Sequence, residues 1–326
     1  MDTPLVFSHT YTSAIWGGCA IRSRFGRTDT PDVCAESWEI SGHPAGMSVV
    51  NGGPFDGRTL ASLVDEFGVD LVGAKAPDPH RFPLLIKLID ANRSLSVQVH
   101  PNETTAPITN GEPKTEAWVV LGAAPDAALY AGTAPGVTFE AFRDAAINGD
   151  AIVPTLARHD VREGDAFFIP GGVVHAIDAG CLIYEVQQSS DTTYRIYDWG
   201  RVGADGKPRQ LHLDKALASV DKSMPEVRAI RAHDEVHKGA VATWRTYVSS
   251  PFFTIRELTI NSGMASIDLD GSTFMALFAL DGGATVECKG GTVGISKGQS
   301  VLVPASAGAF RIAHATEATR MLVTTL

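Results

Sequence analysis

A strand, a tight turn and a second strand are written twice in this chain, and few folds accommodate that duplication. From Gly164 the sequence reads GDAFFIPGGVVH; further on, KGQSVLVPASAGAF sets Gly298 and Pro304 in register with Gly164 and Pro170. Glycine supplies the positive φ of a tight turn, and proline fixes φ on the approach to it. In the second copy Ser306 stands in place of Gly172 and Ala309 in place of His175. With 32 glycines and 18 prolines in the chain, chance recurrence is the competing reading. It loses because the apolar runs FMALFAL, ATVEC and SVLVP, separated by Asp-Gly-Gly and Lys-Gly-Gly, repeat the strand pattern too. A length of 326 residues suits two domains with sizeable cores. The expectation is one β domain over residues 1–230 and a second over 231–326 that has lost the histidine of the first. Segment 224–239, MPEVRAIRAHDEVHKG, reads as a charged linker, with His233 and His237 facing solvent.

Polar groups able to hold a metal cluster in the first half. LSVQVH alternates as a strand does, so Gln98 and His100 share one face. Glu116 opens the apolar run AWVVL and His175 follows Pro-Gly-Gly, so each group stands at a strand end, where barrel mouths form. Two imidazoles, a carboxylate and an amide oxygen suit Zn, Fe, Mn or Co and leave positions open for water and substrate. Any one of these histidines alone would read as a core or capping residue; the set reads as a catalytic centre.

The net charge of −10 argues against a nucleic-acid partner, which demands a basic stripe. Lys87, Lys114, Arg195 and Arg201 nevertheless fall near the metal motifs and could attract an anionic small molecule. No apolar run approaches the roughly 20 residues that span a bilayer, and the first residues lack the pattern of a secretion signal, so a cytoplasmic protein is expected. Cys19, Cys34, Cys181 and Cys288 show no CxxC spacing and read as buried thiols. Leu60, Leu63, Val64 and Phe67 after Thr59 predict a capped helix over 59–67, and Thr138 begins another over 138–147. A third is expected within 211–221.

The Gly164 unit fits the cupin pattern G(X)5PXG(X)2H, with Gln98-Val-His100 in place of the usual His-X-His. WGG at 16–18, ESWEIS at 36–41, FPLLIKLIDA at 82–91, LSVQVHPNE at 95–103, KTEAWVVL at 114–121, IPGGVVHAI at 169–177 and EVQQSSDTTYRIYDWGR at 185–201 together resemble type I phosphomannose isomerase in its short bacterial form. Pro113 departs from the glycine common before the family's Lys-Thr/Ser-Glu motif, and the C-terminal barrel matches loosely. The resemblance implies a mainly β fold of two cupin (jelly-roll) barrels with a few inserted α-helices. It implies an isomerase that interconverts mannose 6-phosphate and fructose 6-phosphate, with one Zn2+ per chain on Gln98, His100, Glu116 and His175. Arg195 and Lys114 carry over as catalytic residues and Ser96 and Lys114 as substrate contacts, with Lys87 a further candidate for the phosphate. Lys114, Glu185, Asp191 and metal-bound hydroxide compete as proton carrier, Glu185 and Asp191 being read rather as orienting groups. A cupin iron oxygenase and a non-catalytic sugar-phosphate-binding cupin are the rival readings. The sequence leaves the oligomeric state open.

Overall fold

The computed structural model describes residues 1–203, 206–235, 241–314 and 318–326. The first-half strands are β1 (Leu5–Val6), β2 (Thr10–Thr12), β3 (Glu36–Ser41), β4 (Leu84–Ala91), β5 (Val97–Val99), β6 (Glu116–Ala123), β7 (Ala128–Thr133), β8 (Leu156–Asp160), β9 (Ala166–Ile169), β10 (His175–Ile177), β11 (Cys181–Gln188) and β12 (Tyr194–Tyr197). They are followed by β13 (His233–Glu235), β14 (Ala242–Ser249), β15 (Thr254–Ile260), β16 (Met264–Asp268), β17 (Met275–Asp281), β18 (Gly283–Cys288), β19 (Gly291–Ser296), β20 (Ser300–Val303), β21 (Ala309–His314) and β22 (Thr319–Thr325).

These strands build the same antiparallel barrel twice. In the first, the sheet β2-β3-β4-β11-β6-β9 closes with β12-β5-β10-β7-β8. In the second, β13-β14-β15-β22-β17-β20 closes with β16-β21-β18-β19, so each strand after β12 has a counterpart in the first half. The duplication read from the glycines and prolines is therefore a duplication of topology. The barrels also trade edges: β1 pairs with β20, so Leu5 and Val6, placed by the sequence with the first unit, complete a sheet of the second. Ile230 bridges Ala166 on β9 in the corresponding place.

The two larger sheets pack back to back, and strand alternation sorts their side chains into separate cores. Along β4, Leu84, Ile86 and Leu88 enter the layer between the barrels, joined by Val119 and Tyr184 from the first and Phe278 and Leu322 from the second. Ile89 on the same strand, with Trp118 and Ile183, points into the first barrel. Met275, Leu277, Val286 and Phe310 fill the second barrel with apolar side chains. The outer face of β5, β10 and β12 is covered by the helices Phe139–Ile147 and Leu213–Ser219 through Phe142, Ala146 and Ala216.

Across the barrel junction, buried Arg27 grips Glu39 with two hydrogen bonds of 2.9 Å and donates from Nε to the Gly298 carbonyl at 3.0 Å. Ser300 donates to the same carboxylate at 2.8 Å. A hollow of about 490 Å³ opens beside this network.

The expected helices form over Leu60–Phe67 and Phe139–Ile147, with Thr59 and Thr138 accepting from the backbone amides of Ser62 and Ala141. The third covers Leu213–Ser219 only. His233 opens a strand, and His237 lies outside the described residues. Cys34 and Cys181 are buried, but Cys19 is exposed, contrary to expectation, because it sits at the start of the surface helix Ala20–Phe25. Among the described residues no helix is long and apolar enough to cross a membrane.

Candidate metal centre and active site

The first barrel turns a small set of polar side chains inward. β10 runs antiparallel to β5 with His175 opposite Gln98, and β12 sets Arg195 opposite Gln98 on its other side. β11 sets Glu185 opposite both Lys87 and Trp118, and Gln187 opposite Glu116. The turn that delivers His175 depends on its glycines. A Cβ on Gly171 would stand 2.8 Å from the Pro101 carbonyl oxygen, and Gly172 adopts φ +97 while donating to the His100 carbonyl at 2.8 Å. The Pro-Gly-Gly motif thus presses against the strand end that carries His100.

His100, Glu116 and His175 are each about 1 % exposed, and one ligand atom from each lies within 4.8 Å of the others. His175 Nδ1 bonds the Val173 carbonyl at 2.9 Å and His100 Nδ1 the Thr192 carbonyl at 2.8 Å. Since a carbonyl only accepts, both Nδ1 atoms carry the proton, and both Nε2 lone pairs face inward. Each Nε2 is 3.3 Å from an oxygen of Glu116, and neither Glu116 oxygen accepts a hydrogen bond. Buried acceptors that point at one another are stable only around positive charge. Lys114 supplies part of it, with Nζ 3.0 Å from Glu116 Oε2 and 3.1 Å from His100 Nε2. Burial, then the Lys114 ammonium, pushes His100 down to about 3, and burial lowers His175 as well. Burial opposes the charge on Glu116, but Lys114 and the imidazoles outweigh it and hold the carboxyl well below its usual value. Two neutral imidazoles and an ionised carboxylate form the donor set that a divalent cation requires. Gln98 sits beside them, its Nε2 3.3 Å from His175 Nε2 and its Oε1 3.3 Å from Ser96 Oγ. A half turn of the amide brings the oxygen inward.

A cavity of about 340 Å³ leads outward from this centre, lined by Gln98, Lys114, Ser96, Lys87, Glu185 and Arg195 among others. Ser96 Oγ accepts from Arg195 Nε at 3.3 Å, and Arg195 Nη1 donates to the Gln210 carbonyl at 2.8 Å. Lys87 is on the inner wall with Nζ 3.1 Å from both Glu36 and Glu185, whose other oxygens accept from the indoles of Trp38 and Trp118 at 2.8 Å. Burial, then the charge of Glu116, raises the Glu185 pKa, while the two carboxylates outweigh burial and raise that of Lys87. Asp191 reaches the cavity wall from an exposed position. Arg201 stands outside the lining, bonded to the Ser94 carbonyl and to Asp198. Glu36 and Arg209 line the cavity too, and sequence reasoning missed both. Glu36 falls within ESWEIS, yet its role shows only when Lys87 stands beside it across β3 and β4. Arg209 belongs to no motif.

In the second barrel the corresponding positions hold Met275, level with Glu116, and Ala309, level with His175. His100, Glu116 and His175 are the one metal-competent group among the described residues.

Fold and centre together define a bicupin with a ligand set in its first barrel. Residues 5–126 match the sequence profile described as phosphomannose isomerase type I, catalytic domain, and residues 243–322 that of the mannose-6-phosphate isomerase cupin domain. The chain is 35% identical over 312 residues to mannose-6-phosphate isomerase ManA of Bacillus subtilis, covering 95% of each chain. It is 35% identical over 305 residues to mannose-6-phosphate isomerase of Streptococcus mutans, covering 93% of each. The crystal structure of a Bacillus subtilis mannose 6-phosphate isomerase superposes with a TM-score of 0.87 at 31% identity, covering 99% of both chains. The chain belongs to the type I mannose-6-phosphate isomerase family.

Proposed function

We propose that this protein is a metal-dependent aldose–ketose isomerase that interconverts mannose 6-phosphate and fructose 6-phosphate through an enediolate, with residues 1–230 as the catalytic unit and 231–326 as a companion barrel. The observation that carries it is the buried His100–Glu116–His175 group at the inner end of a polar cavity in a chain of this family.

His100, Glu116, His175 and Gln98 would hold the metal, for which Zn2+ is our assignment. When bound, it supplies Lewis-acid stabilisation of the oxygens on which enediolate charge develops. The chain's own residues do the rest. Lys114, fixed beside Glu116, donates to a sugar oxygen at the reacting end. Arg195, whose pKa is lowered by burial first, is a planar multiple donor, and a guanidinium keeps its proton in proteins, so it stabilises charge without exchanging one. Ser96 holds Arg195 and offers its hydroxyl to the substrate. Glu185 is our choice of proton carrier among the candidates, since it is a buried carboxylate on the cavity wall whose raised pKa suits a group that takes up and returns a proton. Lys87 and Trp118 orient it. Two carboxylates beside Lys87 repel a dianion, so we place the phosphate away from it. A cupin oxygenase needs coordination room that the Gln98-containing set takes up, and a sensor has no use for Lys114 and Glu185 lining one cavity.

The test is conversion of mannose 6-phosphate to fructose 6-phosphate by purified protein, before chelation, after it, and after zinc is restored. Activity that leaves with chelator and returns with zinc is expected. Zinc-loaded protein that isomerises no sugar phosphate would overturn the reading.

A further inference from the structure

The two histidines of the metal centre are oriented by different means. His175 bonds a carbonyl two residues before it, that of Val173, so its own glycine turn fixes the ring. The acceptor for His100 Nδ1 is the Thr192 carbonyl, 92 residues further along the chain, in the turn between β11 and β12. A distant carbonyl orients a ligand only as firmly as it is itself held. β11 and β12 belong to different sheets, so no strand ladder spans this turn, and hydroxyl groups hold it instead. The Glu112 amide donates to Thr192 Oγ1 at 2.9 Å, and Ser190 Oγ donates to the Glu112 carbonyl at 3.2 Å. Ser190 Oγ also accepts from the Thr192 amide at 3.2 Å, and the Ser190 carbonyl accepts from Gln187 Nε2 at 2.6 Å. Ser190 is 1 % exposed, so water does not compete for these bonds.

We propose that Ser190 and Thr192 are positioning residues for the metal centre: their hydroxyls, stapled to the backbone of Glu112, hold the Thr192 carbonyl where it keeps the proton on His100 Nδ1 and turns the Nε2 lone pair inward. This rests on the metal-dependent reading above. The far side of the staple is fixed in its turn. His43 Nδ1 accepts from the Ala45 amide at 3.2 Å, so its Nε2 carries the proton and donates to Glu112 Oε2 at 3.1 Å. Pro113 disfavours helical backbone at Glu112. A Cβ on Gly111 would stand 2.8 Å from Thr192 Cγ2, so the two segments are already in contact. Asp191, between the two hydroxyl residues, lines the cavity, so one staple sets both a ligand and part of the cavity wall.

The experiment is competition for zinc between the full chain and a chromophoric chelator, with turnover of mannose 6-phosphate measured in parallel. Thr192→Val keeps the shape and removes the acceptor; it should weaken zinc by about tenfold or more, as loss of a group that orients a ligand does. Ser190→Ala, which removes both bonds of that hydroxyl, should act in the same direction, and Thr192→Ser should bind zinc within about threefold of the wild type. A merely structural role would lower the denaturation midpoint of these variants and leave zinc affinity where it was. Wild-type zinc affinity in Thr192→Val, or equal losses in Thr192→Val and Thr192→Ser, overturns the staple while leaving the isomerase reading intact. Zinc binding that depends on Thr192, in a protein that isomerises no sugar phosphate, upholds the staple and overturns that reading. A wild-type chain that binds no zinc overturns both. Should Thr192→Val fail to fold, Ser190→Ala decides, and wild-type zinc affinity in it overturns the proposal.

Discussion

Gly171 shows how little slack the centre has. Its missing Cβ leaves room for the backbone of Pro101 and Asn102, with Asn102 Cα only 2.9 Å from where that carbon would be, and backbone cannot swing aside as a side-chain tip can. Gly171→Ala should cost about 1–3 kcal/mol in denaturant melts. It should also weaken zinc in a chelator competition, because the displaced segment carries His100. His175→Ala should abolish metal binding and turnover together, whereas Arg195→Ala should keep the metal and lose rate; a fully active Arg195→Ala would remove that residue from the mechanism. Residues such as Gln98, His100 and His175 were legible because strand alternation and a glycine turn fix where their side chains go. Arg209 was not, because its place depends on the pairing of residues 195 and 212 across an irregular segment, which no local spacing encodes. Lys87 was legible as a pocket residue, but its two carboxylate partners come from neighbouring strands far apart in sequence.

The two helices capped by threonine were readable because the cap is local: an oxygen and the amide three residues on decide it. Thr59→Ala and Thr138→Ala should each cost about 1 kcal/mol, measured by chemical denaturation, with little effect on turnover. The strands were harder. LLIKLIDA, on β4, is buried on both faces, so its alternation separates two interiors and not inside from outside, and the pattern read from sequence cannot say which residue enters which core. The second barrel's loss of ligands was visible at Ala309, but its counterpart to Glu116, Met275, became visible only once β17 and β6 were matched through their partners.

At the scale of the whole molecule, the Arg27–Glu39 pair with Ser300 and Gly298 joins regions that no motif or spacing connects. Burial opposes the charge on Glu39, but Arg27 outweighs it and holds the carboxyl below its usual 4.5. A depressed carboxyl contributes stability that is complete above the unfolded value and fades as pH falls through the folded one. The thermal midpoint should therefore drop below pH 4.5, and the drop should be shallower in Glu39→Gln. That variant should lose about 3–5 kcal/mol at neutral pH, because a buried guanidinium is left unpaired. The strand Leu5–Val6 carries a consequence of another kind. During synthesis those residues leave the ribosome long before Leu302 and Val301, against which they lie, so the edge of the second barrel is sealed by residues made ahead of most of the first. The chain thus has to hold Leu5–Val6 in reserve until β20 has been translated, and a nascent fragment that stops short of β20 should keep that segment accessible to protease.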